Sequence, residues 1–85
     1  MDETQIRQTV KDYVMAEFLP GEPADTLLDT TPLLTGGLLD SIGTIRLIAF
    51  LEERFAVRFS DEEAAPERLD TLAGIASTIG GKLKR

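Results

Sequence analysis

Eighty-five residues with a formal net charge of −6, 42% of them hydrophobic and 28% charged, suffice for one modest core and place the chain among ordinary globular domains. The absence of cysteine and histidine excludes disulfides, thiolate metal sites, and the commonest metal ligand and general base. The negative charge argues against a nucleic-acid partner. No apolar run nears the roughly 20 residues of a membrane span, and Met1-Asp2-Glu3-Thr4 does not read as a signal sequence. A single cytoplasmic domain over residues 1–85 is therefore expected, with about 1–3 and 81–85 frayed.

In chain order, Ile6, Val10, Tyr13, Val14 and Phe18 recur at steps of three and four, which predicts a first amphipathic helix ended by Pro20-Gly21. Residues 21–40 hold no sustained period and form a long loop. Its Leu27, Leu28, Leu33, Leu34, Leu38 and Leu39 suggest a loop pinned to the core, and Thr35-Gly36-Gly37-Leu38 reads as flexible and turn-prone. The second helix runs from about Ser41 to Phe55. Val57 and Phe59 alternate in a short extended link. Ser60-Asp61-Glu62-Glu63 is a capping box that opens a short third helix, which Pro66 ends or restarts. Asp70 or Thr71 then caps a last helix with Leu72, Ile75, Ala76 and Ile79 on one face, closed by Gly80-Gly81. The sum is an all-α fold: a small four-helix bundle, three helices longer and the third short, with a long loop between helices 1 and 2.

Charge is unevenly spread along this pattern. Residues 1–45 hold eight acidic groups against Arg7 and Lys11, whereas residues 46–85 are neutral. Only Lys82-Leu83-Lys84-Arg85 is locally basic, and it reads as a solvated terminus.

The second helix carries more apolar surface than one face requires. Thr44, Leu47, Ile48, Leu51 and Phe55 share a stripe about 100° wide, the predicted core face. Ile42, Ile45 and Ala49 form a second stripe beside Ser41, and Phe50 lies on the other flank. Two readings of the second stripe stand: packing against a neighbouring element, or a docking patch bordering the serine.

Leu39-Asp40-Ser41-Ile42 places a lone serine where the loop turns into that helix. Unpaired backbone N–H groups and a partial positive charge gather at such a position, which suits a bound or attached phosphate. A serine hydroxyl is a poor nucleophile without a neighbouring base, and this chain has no histidine to serve as one. No catalytic residue and no metal ligand is therefore assigned, and the serine reads as an attachment point. The competing reading is that Asp40 and Ser41 only cap a helix.

At these residues the chain resembles the phosphopantetheine-dependent carriers, the acyl, aminoacyl and peptidyl carrier proteins. Asp40-Ser41-Ile42 is similar to their Asp-Ser-Leu/Ile attachment site. The first helix, the long loop, Leu51-Glu52-Glu53-Arg54-Phe55 with Val57, Ser60-Asp61-Glu62-Glu63 and the last helix extend the likeness over nearly the whole chain. The resemblance implies that a separate phosphopantetheinyl transferase joins 4'-phosphopantetheine covalently to Ser41. It also implies that Asp40 presents the site to that transferase and its metal, and that Ile42 is contacted by partners. Ile45 and Ala49 then belong to the same recognition surface. Further implied partners are an adenylating ligase or acyl transferase and downstream acyl-accepting enzymes, served by a monomer that is itself no enzyme and engages neither membrane nor nucleic acid.

Other chemistries fit poorly. Gly37-Leu38-Leu39-Asp40-Ser41-Ile42-Gly43 lacks the Gly-x-Ser-x-Gly of a nucleophile elbow. Counted as a calcium loop from Asp40, it supplies Ile42, Thr44 and Leu51 where ligands are needed. A plain helical interaction module predicts no modification at Ser41. As for cargo, residues 41–55 set Glu52 and Glu53 against Arg46 and Arg54, a neutral helix, with Gly43 and Arg46 at positions often acidic in fatty-acid carriers. Gly36-Gly37-Leu38-Leu39-Asp40-Ser41 and Ile45-Arg46-Leu47 are more similar to freestanding aminoacyl or peptidyl carriers. The alternative is a specialised fatty-acyl or polyketide carrier.

Overall fold

The computed structural model describes residues 2–83, and over these the chain is all-helical. Helix α1 spans Glu3–Phe18, a single 3-10 turn covers Ala24–Thr26, α2 spans Ser41–Phe55, α3 Pro66–Leu69 and α4 Leu72–Leu83. None of the described helices is long and apolar enough to cross a membrane.

Helix α1 is fastened at its start, where fraying was expected. The Asp2 carboxylate accepts from the Gln5 amide at 2.8 Å and the Asp2 amide donates back to the Gln5 side chain at 3.2 Å, a complete capping box. Ile6, Val10 and Val14 are buried on its inner face. Beyond Phe18 the chain leaves the helix through Leu19, and Gly21 takes a left-handed φ of 83°.

Helix α4 corrects a second expectation. It runs through Gly80-Gly81 to Leu83 instead of ending at the glycines. Gly80 is buried, and a Cβ there would sit 3.2 Å from Cγ of Glu3. The Glu3 side chain from the first turn of α1 packs over this glycine, which in a helix interior costs roughly 1 kcal/mol relative to alanine. Of the termini expected to fray, Met1, Lys84 and Arg85 lie outside the described residues.

The third helix starts later than its capping signal implies. Ser60 and Glu63 do form the reciprocal bonds, Ser60 N to Glu63 Oε1 at 3.0 Å and Glu63 N to Ser60 Oγ at 3.2 Å, but residues 61–64 make only a turn. Pro66 disfavours the helical conformation for the residue before it, and Ala65 is extended (φ −61°, ψ 143°). The helix restarts with Pro66 as its first residue. Glu63 also pairs with Lys82 at 2.8 Å, and Lys82 stands over the Phe59 ring, so the turn is tied to the end of α4. The Lys82 ammonium and the Ser60 amide hold the Glu63 carboxyl down to about 2.

One continuous core joins these elements. Leu47, Leu51 and Phe55 of α2 meet Ile6, Val10 and Val14 of α1, Leu69 of α3, and Leu72, Ile75, Ala76 and Ile79 of α4. Thr44 and Ile48, placed on the core stripe by periodicity, are half-buried at its edge. Helices α1 and α4 run closest together. Between α1 and α2 the aromatic side chains make the connection: Tyr13 stacks on Phe50 at 4.0 Å and meets Phe18 edge-on. The long loop contributes Leu27, Leu33 and Leu39 to the core; Leu34 and Leu38 are half-buried and Leu28 is exposed.

Candidate functional site at the start of α2

Asp40 is the N-cap of α2. Its backbone is extended and its Oδ1 accepts from the Gly43 amide at 2.6 Å, while its carbonyl accepts from the Thr44 amide and hydroxyl at 2.9 and 2.8 Å. Both residues of the Asp-Ser pair were capping candidates, and the aspartate takes the role. Ser41 is the first helical residue and is exposed. Helix geometry leaves the Ser41 and Ile42 amides without acceptors inside the helix, so two donors and the positive end of a 15-residue helix surround the hydroxyl.

The first turn of α2 is pressed against the end of α1. Gly43 is buried, and a Cβ on it would lie 3.0 Å from the Phe18 ring and 3.2 Å from Asp40 Oδ1. Gly43 thus admits the Phe18 ring beside the cap.

The second stripe is surface. Ile42 and Ile45 are 67% and 66% exposed and Ala49 is also exposed, while Leu47 and Phe55, one step round the helix, are buried. Ordinary burial therefore does not account for these three residues. Ile45 lines one side of a shallow, mainly apolar hollow shared with Leu34, Thr35, Ser41, Thr44 and Pro66. Ile42 faces a second depression on the other side of Asp40, formed with Phe18, Leu38 and Arg46.

The loop leading to the site forms a hydrogen-bonded turn, as its turn-prone Thr35-Gly36-Gly37-Leu38 predicts. A Cβ on Gly36 would run into the Pro32 carbonyl, and Gly37 has a φ of 80°. The Leu39 amide donates to the Leu33 carbonyl at 2.9 Å, and the Gly37 amide to that of Leu34 at 3.1 Å, closing residues 33–39 into a ring. Asp70 was a candidate cap for α4. Thr71 fills that role, accepting from the Gly74 amide at 3.0 Å, and the Asp70 carboxylate turns instead to Leu34 and Thr35. Thr35, Pro66 and Asp70 were not identified as site residues from sequence. No local spacing links positions 35 and 70.

Compared with known proteins, the sequence matches no protein-family model and no curated protein.

Proposed function

We propose that the protein is a carrier, 4'-phosphopantetheinylated on Ser41, that shuttles a thioester-bound aminoacyl or acyl group between partner enzymes. The observation that carries this reading is an exposed serine at the first position of α2, freed from capping by Asp40 and bordered by two exposed isoleucines. The site suits the group. A phosphodiester on Ser41 meets the two unpaired amides and the helix dipole, and the mainly apolar hollow beside it offers a surface for an uncharged arm. In the attachment, the serine oxygen forms a bond to the phosphorus that carries pantetheine in coenzyme A. The diphosphate bond breaks, adenosine 3',5'-bisphosphate leaves and the serine proton passes to the transferase. When bound, the group supplies a thiol that holds cargo as a thioester, a function no side chain of this cysteine-free sequence provides.

On this reading the protein is a substrate and shuttle, not an enzyme. It works as a monomer in the cytoplasm, and Asp40, Ile42, Ile45 and Ala49 form the surface that the transferase, the loading enzyme and the acceptors recognise. The direct test is incubation with coenzyme A, magnesium and a promiscuous phosphopantetheinyl transferase, followed by intact mass. One added phosphopantetheine per chain is expected, and none with several transferases would refute the proposal.

Recognition and folding separate at Asp40. Its carboxylate makes one capping bond on an exposed surface, so Asp40→Ala should cost at most about 1 kcal/mol while slowing the modification. The two readouts are a thermal melt and an initial rate by mass. Loss of folding in this variant would remove Asp40 from the recognition surface.

For the cargo we propose an amino acid or similarly small acid activated as an adenylate. Glu52 and Glu53 balance Arg46 and Arg54 along α2, so this helix lacks the acidic field that would steer it to the basic surfaces of fatty-acid synthesis enzymes. Offered malonyl coenzyme A with a malonyl transferase, or amino acids with adenylating enzymes, the holo protein should load from the second set. Efficient malonyl loading with no aminoacyl thioester would favour the fatty-acyl or polyketide carrier.

A further inference from the structure

Asp70 stands between α3 and α4, yet its acceptors are spent on a loop 35 positions earlier in the chain. Its Oδ1 accepts from the Leu34 amide at 2.8 Å and the Thr35 amide at 2.9 Å, and its Oδ2 accepts from the Thr35 hydroxyl at 2.7 Å. The Asp70 carbonyl accepts from the Leu33 amide at 2.6 Å. Three consecutive residues are thus bonded to one. From there the path to the site is short: the Leu33 carbonyl takes the Leu39 amide, and Leu39 precedes the cap Asp40. Thr35 and Ser41 also line the same hollow.

Resting on the carrier reading, we propose that Asp70 is a positioning residue for the attachment serine. By clamping Leu33, Leu34 and Thr35 it holds the 33–39 ring closed, and the closed ring fixes the direction from which the chain enters α2 and presents Ser41. The clamp is charge-assisted: the Thr35 amide and hydroxyl, with the Leu34 amide, hold the Asp70 carboxyl below the usual carboxylate range and keep it ionised at neutral pH. The Asp70 carboxylate is bonded to Leu34 and Thr35 and does not line the hollow shared by Ser41 and Ile45, so its loss should disturb the serine's orientation and spare the binding surface. The rate of the attachment step should respond; the affinity for the transferase should not. A misplacement of the reacting atom by about 1 Å is enough to cost up to roughly a hundredfold in rate.

The test uses the intact protein with Thr35→Val, which removes the hydroxyl donor at nearly constant shape, and Thr35→Ser, which keeps it. Asp70→Asn weakens the clamp from the other side. With a transferase that modifies the wild type, kcat should fall about tenfold in Thr35→Val and in Asp70→Asn. KM should stay within about twofold in Asp70→Asn, whose side chain does not line the hollow, and Thr35→Ser should recover most of the rate lost in Thr35→Val. Amide hydrogen exchange supplies an arm independent of the modification. Exchange at Leu39 should quicken about tenfold in Thr35→Val, while the core amides of Val10 and Ile79 keep their protection. Unchanged kcat in both weakened variants, or unchanged exchange at Leu39, overturns the positioning role and leaves the carrier reading standing. A wild type that no transferase modifies overturns both, even if exchange at Leu39 shows that the clamp holds the loop.

Discussion

Ser41→Ala should take up no phosphopantetheine at all, while melting within about two degrees of the wild type. The expectation of an all-or-none chemical loss without a structural one follows from how labour is divided at the start of α2. Asp40 supplies the capping oxygen to the Gly43 amide, and its carbonyl accepts the first helical bond from Thr44. Ser41 occupies the first helical position, where alanine is a good helix former, and it is exposed. Replacing its hydroxyl therefore removes no bond that holds the cap and opens no cavity. Intact mass after incubation with coenzyme A, magnesium and transferase, beside a thermal melt of each form, separates the two effects. Label that persists in Ser41→Ala would move the attachment to another hydroxyl and sink the assignment. A large fall in melting temperature would mean that the serine is a structural residue after all.

Much of this architecture was legible because it is written in local periodicity. Val10 and Val14 in α1, Leu47, Leu51 and Phe55 in α2, and Ile75, Ala76 and Ile79 in α4 recur at helical steps, and each is buried. The same geometry separated the Ile42, Ile45 and Ala49 stripe from the core stripe, and the exposure of all three follows that division. What escaped the sequence depends on partners distant in the chain. Gly80-Gly81 has the composition of a helix stop, but α4 runs through both to Leu83, with the Glu3 side chain packed over Gly80. The Ser60 capping box forms its bonds, yet the helix is delayed by the extended backbone that Pro66 imposes on Ala65. Asp70 looked like a cap because aspartate favours that position, but only the fold brings Leu34 and Thr35 to its carboxylate. The candidate site divides in the same way. Ser41, Asp40 and the isoleucines are adjacent in sequence and were found there, whereas Thr35, Pro66 and Asp70 join them through tertiary structure.

Leu51→Ala should be the most damaging single truncation on α2, costing about 2–5 kcal/mol. Leu51 is fully buried, one turn from Leu47 and one turn from Phe55, at the middle of the buried stripe of α2. Helices α1 and α4 run close together; α2 lies farther from both and is held by side chains reaching across. Removing the middle one leaves a cavity that neighbours spanning such a gap cannot fill by a small shift. For a domain of 85 residues the whole stability is on the order of 4–13 kcal/mol, so the loss takes a large share of it. At roughly 4–8 °C per kcal/mol, the melting temperature should fall by at least about 8 °C. Urea unfolding of wild type and variant gives the cost directly, and a value under about 1 kcal/mol would show that Leu51 does not pack as the core stripe requires. Below its melting temperature Leu51→Ala keeps the serine and should still be modified; folded Ser41→Ala should not, so the two losses, one of stability and one of chemistry, fall on a buried and an exposed residue of the same helix.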